Sequence, residues 1–276
     1  WNVAASRTSH WTGSGKVQIG TAQNPFALLK LEGEVSFKSA RPIINYGVFE
    51  WVSNDPGAIA PFTLEMEGTA DIQNKASGTM FINAKGTAIQ KITGPANSGK
   101  LINFGLLELD AEKSIDIDLP VEEFGGDTNL KGTGAPNIKF LRGTKMSGGN
   151  LNIEKPVLAT FVGGVEHTGG DILNASEMIV QNGYTLSGGT LDSTPAFFGS
   201  TTFTADTLTQ SGGSITNGGD FEVTGLYTLS GGTYTSQGYT TEPVTFIADA
   251  VTQTGGIFTF DVNAGMFEVS DTYTFN

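Results

Sequence analysis

The chain has 276 residues, of which 28 are Asp or Glu and 15 are Lys or Arg, so its net charge is −13 at neutral pH. It contains no cysteine, which excludes disulfide bonds and cysteine-based metal sites. The acidic balance disfavours nucleic acid and anionic membranes as partners, and no apolar run is long enough for a membrane span, so we expect a soluble or surface-attached protein.

The basic residues are confined to one part of the chain. All 15 lie between Arg7 and Lys155, where they face 16 acids, whereas residues 156–276 hold 12 acids and no base. The two parts therefore carry net charges of −1 and −12. One interpretation is an acidic surface of the kind common in extracellular proteins, and the other is a molecule with unlike ends, which favours head-to-tail contact.

Residues 1–15 are mostly small and polar, with Trp1 and Trp11 as apolar anchors. We expect this segment to be a cap over the first coil or an arm that packs on a neighbouring subunit. Either would cover the apolar core and unpaired backbone at the end of a repeat array. The chain begins with Trp1 and not Met, which suggests a processed mature protein or a trimmed fragment.

Residues 16–144 carry strand signals without a strict period. Lys16–Ile19 and Phe26–Lys38 alternate apolar and polar residues, as strands do. Two similar octapeptides are Ile44–Trp51 (INYGVFEW) and Ile102–Leu109 (INFGLLEL), and Ile215–Val223 (ITNGGDFEV) is a looser third copy. Asparagine at a coil corner can hydrogen-bond along a stack, and the following glycine turns the chain, so this recurrence predicts that the first half is also solenoidal.

Prolines and composition suggest where the chain divides. The longest break between strand signals is predicted from Pro120 to Gly134, and the composition shifts near 141–155. The predicted organisation is a cap or arm at 1–15, an irregular solenoid region at 16–144 and a regular one at 145–276.

The region 145–276 contains an internal repeat. Thr168–Gln210 and Ser211–Gln253 are each 43 residues long, both contain YTLSGGT, and a third copy starts at Thr254. The Gly-Gly pairs that begin at residues 148, 169, 188, 212, 231 and 255 follow one another at spacings of 21, 19, 24, 19 and 24 residues. The residues between them favour strands, and no sustained helical period occurs.

A unit of 19 to 24 residues made of short strands and glycine corners is typical of one coil of a parallel β-solenoid. The alternative is a β-sandwich whose hairpins carry Gly-Gly, but hairpins have no reason to alternate between two lengths. The predicted fold class is therefore all-β, a parallel β-solenoid (β-helix) with a regular 43-residue two-coil repeat in the C-terminal part and a less regular N-terminal part. Alternation further predicts that Ile215, Phe221, Val223, Leu229 and Phe246 point inward and that Asp192, Asp206, Glu222 and Asp249 point outward.

No pattern of catalytic residues emerges. The two histidines, His10 and His167, lie in unlike contexts, and no metal-binding spacing or nucleophile motif occurs. The acid pairs Asp116/Asp118 and Glu122/Glu123 fit solvated surface positions better than the facing carboxylates of a glycosidase. We predict no catalytic residue and no enzymatic activity.

Cofactors and metals are likewise not predicted. Asp206 and Asp249 hold matching positions in the two repeats, where calcium is one option and solvated turn residues are the favoured one. Asn174 begins a short glycosylation sequon, which by itself is a nonspecific signal.

The Gly-Gly coils and the Asn-x-Gly corners resemble those of secreted β-helical surface proteins of prokaryotes, such as filamentous-haemagglutinin-type adhesins and autotransporter passengers. The resemblance is strongest over 145–276 and weak before residue 100. It implies an extracellular or cell-surface protein that adheres, coats or assembles and is not an enzyme. No functional residues carry over from it.

Three functions remain open. The first is a structural protein that forms a head-to-tail homopolymer, as a filament, sheath or coat. The second is an adhesin or carbohydrate-binding β-helix that recognises cell-surface polysaccharide, for which Phe197, Phe198, Tyr239 and Phe246 are candidate aromatic contacts. The third is a polysaccharide lyase or hydrolase.

The homopolymer is favoured for two reasons. The third repeat stops at Tyr273–Asn276 without a polar cap, and the regular coils lack the Arg and Lys that polysaccharide-degrading solenoids gather beside Asp. The predicted assembly residues are Trp1, Trp11, Tyr273 and Phe275.

Overall fold

The architecture was analysed in a computed structural model of the chain. The structure describes residues 2–4, 9–11, 15–32, 36–53, 62–85, 89–97, 99–195, 201–237, 243–261 and 265–276. Every regular element in these residues is a β-strand, and none of them lies in a helix.

Thirty strands follow one another along the described residues. The first ten are β1 (Asn2–Ala4), β2 (Ser9–Trp11), β3 (Val17–Ile19), β4 (Leu28–Glu32), β5 (Phe37–Ser39), β6 (Ile43–Asn45), β7 (Val48–Ser53), β8 (Phe62–Met66), β9 (Ile72–Asn74) and β10 (Thr79–Ala84). The next ten are β11 (Gln90–Thr93), β12 (Leu101–Asn103), β13 (Leu106–Ala111), β14 (Ser114–Asp118), β15 (Val121–Gly132), β16 (Asn137–Phe140), β17 (Thr144–Ile153), β18 (Leu158–Phe161), β19 (Val165–Asn174) and β20 (Glu177–Val180). The last ten are β21 (Tyr184–Leu186), β22 (Thr190–Ser193), β23 (Thr202–Ala205), β24 (Leu208–Gln210), β25 (Ser214–Asn217), β26 (Asp220–Leu229), β27 (Thr233–Ser236), β28 (Val244–Gln253), β29 (Ile257–Thr259) and β30 (Gly265–Phe275).

These strands build three faces, which we name sheets I, II and III. Sheet I consists of β1, β4, β7, β10, β13, β22, β25, β27, β29 and the C-terminal parts of β15, β17 and β19. Sheet II consists of β2, β5, β8, β11, β14, β16, β18, β20, β23 and the N-terminal parts of β26, β28 and β30. Sheet III consists of β3, β6, β9, β12, β21, β24, the N-terminal parts of β15, β17 and β19, and the C-terminal parts of β26, β28 and β30.

All of these pairings are parallel, and the chain visits sheets I, II and III in turn. Within the described residues, twelve strand segments lie above one another on each face. The predicted fold class, a parallel β-solenoid, is therefore confirmed. Tyr184 pairs with Leu208 and Leu208 pairs with Tyr227, so positions 43 residues apart lie two levels apart.

Alternation along each strand creates the core. The five side chains predicted to point inward, Ile215, Phe221, Val223, Leu229 and Phe246, are all fully buried. Of the four predicted to point outward, Asp206, Glu222 and Asp249 are exposed. Asp192 is half-buried, because its carboxylate accepts hydrogen bonds from the Thr194 hydroxyl and amide at 2.6 and 3.1 Å.

The break predicted from Pro120 to Gly134 is wrong. Strand β15 occupies most of it, and its Gly125-Gly126 pair marks the corner between sheets III and I. Two features hid this strand in the sequence. Glu123 takes an inward position that alternation assigns to an apolar residue, and Phe124 points outward.

The three Asn-x-Gly copies do not share one corner. Asn45 and Asn103 end strands of sheet III, as predicted for a common corner, but Asn217 ends β25 of sheet I. The level between Asn45 and Asn103 is occupied by Asn74, whose following glycine comes four residues later, at Gly78. The third copy therefore matches the first two in sequence and differs from them in position.

Glycine is required where sheet III turns into sheet I. Gly213, Gly232 and Gly256 have φ values of +67°, +80° and +71°, which side chains rarely adopt. They also form a column. A Cβ on Gly213 would lie 2.7 Å from the Gly189 carbonyl oxygen, and one on Gly232 would lie 2.5 Å from that of Gly213. Each corner thus leaves no room for a side chain at the corner above it.

The stack is continuous through the predicted divisions of the chain. Strands β1 and β2 lie within residues 1–15 and pair with β4 and β5 as the first level of sheets I and II. Strand β17 begins at Thr144 and pairs on both sides of the 144/145 division. The division therefore describes how regular the sequence is.

Replacing Phe221 by Ala tests the inward column of sheet II. Its ring stacks between those of Phe203 and Phe246, with centroid distances of 4.6 and 5.8 Å. We expect the free energy of unfolding, measured by urea denaturation, to fall by about 3–5 kcal/mol, as for other emptied aromatic sites. Glu222→Gln is the control, because the Glu222 side chain follows Phe221 in the same strand and is exposed. It should change the free energy of unfolding by less than about 0.5 kcal/mol. A loss below about 1 kcal/mol for Phe221→Ala would contradict its place in the core.

Replacing Gly232 by Ala tests the glycine column. The left-handed backbone alone costs about 1–2 kcal/mol with a side chain, and the contact with Gly213 adds to it. We therefore expect Gly232→Ala to lower the free energy of unfolding by more than about 2 kcal/mol. Gly143→Ala is the control, because a Cβ there meets its nearest neighbour at an ordinary 3.7 Å and the backbone is not left-handed. Equal losses in the two variants would show that the corner is not the cause.

Candidate assembly surface at the end of the solenoid

The last level of the stack exposes an apolar surface. Strands β29 and β30 pair on one side with β27 and β28, and no described strand covers their other side. We call the inward-directed side chains of this level, Phe258, Phe267, Val269, Tyr273 and Phe275, the terminal surface.

The last level is more exposed than the level below it, as the exposed fractions of paired side chains show. Phe246 and Val251 are 0% and 1% exposed, but Phe267 and Tyr273, which pair with them in the next level, are 41% and 42% exposed. Phe275 is 74% exposed. These side chains occupy core positions that no described strand covers, so burying them is favourable at about 25 cal/mol per Å² of apolar surface.

The structure places the predicted assembly residues at opposite ends of the stack. Tyr273 and Phe275 lie together on β30, and the Tyr273 hydroxyl donates a 2.6 Å hydrogen bond to Oε1 of Gln253. Trp11 lies on β2 in the first level, where it is half-buried against Phe37 at a centroid distance of 5.2 Å. Trp1 falls outside the described residues.

Sequence reasoning missed three members of the terminal surface, Phe258, Phe267 and Val269. Their inward positions follow from pairing with Tyr234, Phe246 and Ala248. The signal was available, since FEV at 267–269 repeats Phe221–Val223 of the previous block. It was overlooked because the third copy is 46 residues from the second at this point and no longer keeps the 43-residue spacing.

The two end regions of the chain carry opposite net charge. Residues 1–41 contain five bases and two acids, a net charge of +3, whereas residues 236–276 contain five acids and no base, a net charge of −5. Unlike charges on facing surfaces speed association and orient the partners, most strongly at low ionic strength.

Buried polar side chains fix the register of the interior. The asparagine ladder, Asn45, Asn74 and Asn103, runs up the corner between sheets III and I, with each Nδ2 donating to the next Oδ1 at 2.8 Å. It ends on Glu123, whose carboxylate accepts hydrogen bonds from Asn103 Nδ2 at 2.9 Å and from the Thr128 hydroxyl at 2.6 Å. Burial raises the pKa of the Glu123 carboxyl to about 7.

A second buried motif belongs to the 43-residue repeat. The tyrosine hydroxyl of one level donates to the glutamine Oε1 of the level below, from Tyr227 to Gln210 and from Tyr273 to Gln253, each at 2.6 Å.

His167, which lies 43 residues before Gln210, takes the glutamine's place one repeat earlier. Its Nδ1 lies 2.7 Å from the Tyr184 hydroxyl and its Nε2 lies 2.9 Å from the Gly170 carbonyl oxygen. By analogy with glutamine, Nε2–H donates and Nδ1 accepts, so the ring is neutral. Burial lowers the pKa of His167 accordingly.

The acids considered for catalysis do not converge. Glu122 points outward and pairs with Lys100, whereas Glu123 points into the core. Asp118 pairs with Arg142 at 2.9 Å. An open groove of about 400 Å³ on sheet III is lined by Glu122, Lys145 and Glu166, and Lys145 pairs with Glu166 at 2.9 Å. The groove therefore presents ion pairs to solvent.

The structure also locates the residues considered for calcium binding and for glycosylation. Asp206 and Asp249 lie at the same corner, two levels apart, because Ala205 pairs with Val223 and Val223 with Ala248. No group of three or more potential metal ligands occurs among the described residues. Asn174 is 1% exposed and its Nδ2 donates to Ser193 and Thr202, so the folded chain does not present this sequon to a glycosylating enzyme.

No protein-family model, curated protein or solved structure matches the chain. In the part of the chain that the structure describes, no helix could cross a membrane.

The pH dependence of stability tests two of the buried titratable side chains, Glu123 and His167. Glu123 has a folded pKa of about 7 against 4.5 for an ordinary Glu, so the folded state holds a proton that the unfolded state releases. Its contribution to stability is present below pH 4.5 and is lost as the pH rises through about 7, at up to ~1.4 kcal/mol per pH unit. His167 acts in the opposite direction. Because its folded pKa is lowered below 6.5, its contribution is present above pH 6.5 and is lost as the pH falls.

The measurement is urea denaturation between pH 4.5 and 7.5. We expect Glu123→Gln to abolish the fall in unfolding free energy that Glu123 causes as the pH rises. The increase in unfolding free energy that His167 causes over the same range should remain. His167→Gln should do the reverse, since Gln210 and Gln253 already fill the same position. Identical pH profiles for Glu123→Gln and the parent would contradict the assignment.

Proposed function

We propose that the protein is a structural subunit that assembles end to end into an extracellular filament, sheath or cell-surface coat. The observation that carries the proposal is the terminal surface, where the core-position side chains Phe267, Tyr273 and Phe275 are 41%, 42% and 74% exposed. A second copy of the chain is the occupant that fits, because its first level brings unpaired parallel strands of matching geometry and the opposite net charge.

Three physical contributions support this assembly. The open sides of β29 and β30 offer backbone hydrogen-bonding groups to another strand. The terminal surface offers apolar area. The charges of +3 and −5 attract the two ends toward each other. A contact between different ends of the same molecule is heterologous and propagates into an open polymer.

An adhesin or carbohydrate-binding function is the second candidate. Phe104 and Phe124 lie exposed at the corner between sheets III and I, stacked with centroids 5.2 Å apart, and Lys75 Nζ lies 5.3 Å from the Phe104 ring centroid. Because the two rings face each other, they offer mainly edges to a sugar, which makes this candidate the weaker one. Of the aromatic residues considered earlier, Phe246 is buried, and Phe197, Phe198 and Tyr239 lie outside the described residues.

Assembly is tested by placing a charge on the terminal surface. Phe275→Asp should shift the protein to monomers in sedimentation velocity, because it puts a carboxylate where apolar contact is needed and adds to the negative charge of that end. The control Leu173→Asp adds the same charge to a 44% exposed position on the side of sheet I and should assemble like the parent.

Salt provides a second measurement on the parent protein. The Debye length falls from about 10 Å at 0.1 M to about 3 Å at 1 M, so assembly should become slower while apolar and backbone contacts persist. Two results would overturn the proposal: a parent that stays monomeric at high concentration in both low and high salt, or a Phe275→Asp variant that polymerises as well as the parent.

A further inference from the structure

The terminal surface also specifies how a second copy would sit on it. We propose that β30 of one copy pairs in parallel with β3 of the next, so that Tyr273 faces Val17, Thr274 faces Gln18 and Phe275 faces Ile19. This inference rests on the proposed function and assigns the partner strand and the register.

The first argument is backbone geometry. Among described strands, β3 pairs only with β6, and the C-terminal part of β30 pairs only with β28, so each has one open side. Both strands belong to sheet III and run in the same direction along it. Placing one copy on another along the stack axis therefore brings these two strands together as a further parallel pair.

The second argument comes from the repeat itself. In sheet III, each tyrosine lies between aliphatic residues: Tyr227 pairs with Leu208 below it and with Val251 above it. Tyr273 pairs with Val251 below it, and the position above it is open. Val17 is the first inward residue of β3, and Val251 shows that a valine fits beside a tyrosine at this position.

The third argument is polar satisfaction. The Tyr273 hydroxyl already donates to Gln253 in the level below, so the covering level need not supply a hydrogen-bond partner. The remaining facing positions, Phe275 and Ile19, are both apolar. Core contact is therefore possible without leaving a buried polar group unpaired.

The fourth argument is the alternation of side chains. In this register Tyr273 and Phe275 meet Val17 and Ile19 on the inner side, whereas a shift of one residue would set inward against outward side chains along the pair. Lys16 then faces Thr272, the neighbour of Asp271, and both charged side chains are exposed.

Disulfide cross-linking in the full chain tests the register, and the chain helps because it has no cysteine of its own. Thr274 and Gln18 both point outward, so replacing them with Cys should not disturb the core. Facing residues on neighbouring parallel strands are about 4.8 Å apart, within the Cα range of about 4.4–6.8 Å for a disulfide. Mild oxidation of Thr274→Cys/Gln18→Cys should yield a ladder of covalent multimers on a denaturing gel.

The matched control is Thr274→Cys/Gln73→Cys. Gln73 points outward from the same sheet, but it lies inside the stack between Ile44 and Ile102. We expect at least tenfold less cross-linked product from this pair. Similar yields from both pairs would overturn the register.

Sedimentation of the same double-cysteine proteins under reducing conditions tests end-to-end assembly separately from the register. Polymers without a Thr274–Gln18 cross-link would overturn the register and leave end-to-end assembly standing. Monomers under all conditions would overturn the proposed function itself.

Charge exchange gives an independent check: Asp271→Lys should weaken association, and adding Lys16→Asp should restore most of it. Failure of the double variant to recover would count against contact between these two ends.

Discussion

The structure depends on one constraint, which is that each coil must lie directly over a coil with compatible residues at every position. Parallel pairing places the same sheet position of successive coils about 4.8 Å apart, so neither a side chain nor a corner can be chosen independently of the one beneath it. The glycines at 213, 232 and 256 express this most directly, because each would place a Cβ against the carbonyl oxygen of the glycine below. The asparagine ladder and the tyrosine–glutamine pairs satisfy the same constraint with hydrogen bonds between levels.

The constraint that organises the interior also explains why the last described level is partly exposed. A coil in the middle is covered above and below, and its aromatic side chains are fully buried, as Phe221 is. The same kind of side chain at Phe267 is covered on one side only. An apolar surface of this shape is matched by another coil, and the two ends of this chain differ in charge in the direction that favours their contact. The proposed assembly would therefore use the same stacking that stabilises the fold.

Much of the fold could be predicted because its corners repeat. Gly-Gly pairs and YTLSGGT were sufficient to identify coils and to place Phe221 inward and Glu222 outward. The rest could not be predicted from local patterns. Whether an Asn-x-Gly corner belongs to sheet I or sheet III depends on which coils lie beside it, as Asn217 illustrates. The inward position of Glu123 depends on the donors Asn103 and Thr128, which lie on another level and five residues further on. In the candidate site, Tyr273 and Phe275 were found from the sequence, whereas Phe258 and Phe267 required the pairing of β29 and β30.

The two coil lengths indicate where this architecture tolerates change. The coil that starts at Gly188 is 24 residues long and the next is 19, and the difference arises between sheets I and II. There, residues 194–201 connect β22 to β23, whereas only residues 218–219 connect β25 to β26. Over the same coils the glycine corner keeps its length, with three residues between β24 and β25, between β26 and β27 and between β28 and β29. Insertions can therefore accumulate along one edge while the other edge stays fixed. Such a scaffold can diversify the segments that it displays, by mutation over evolution or by design, without losing the stacking on which the fold depends.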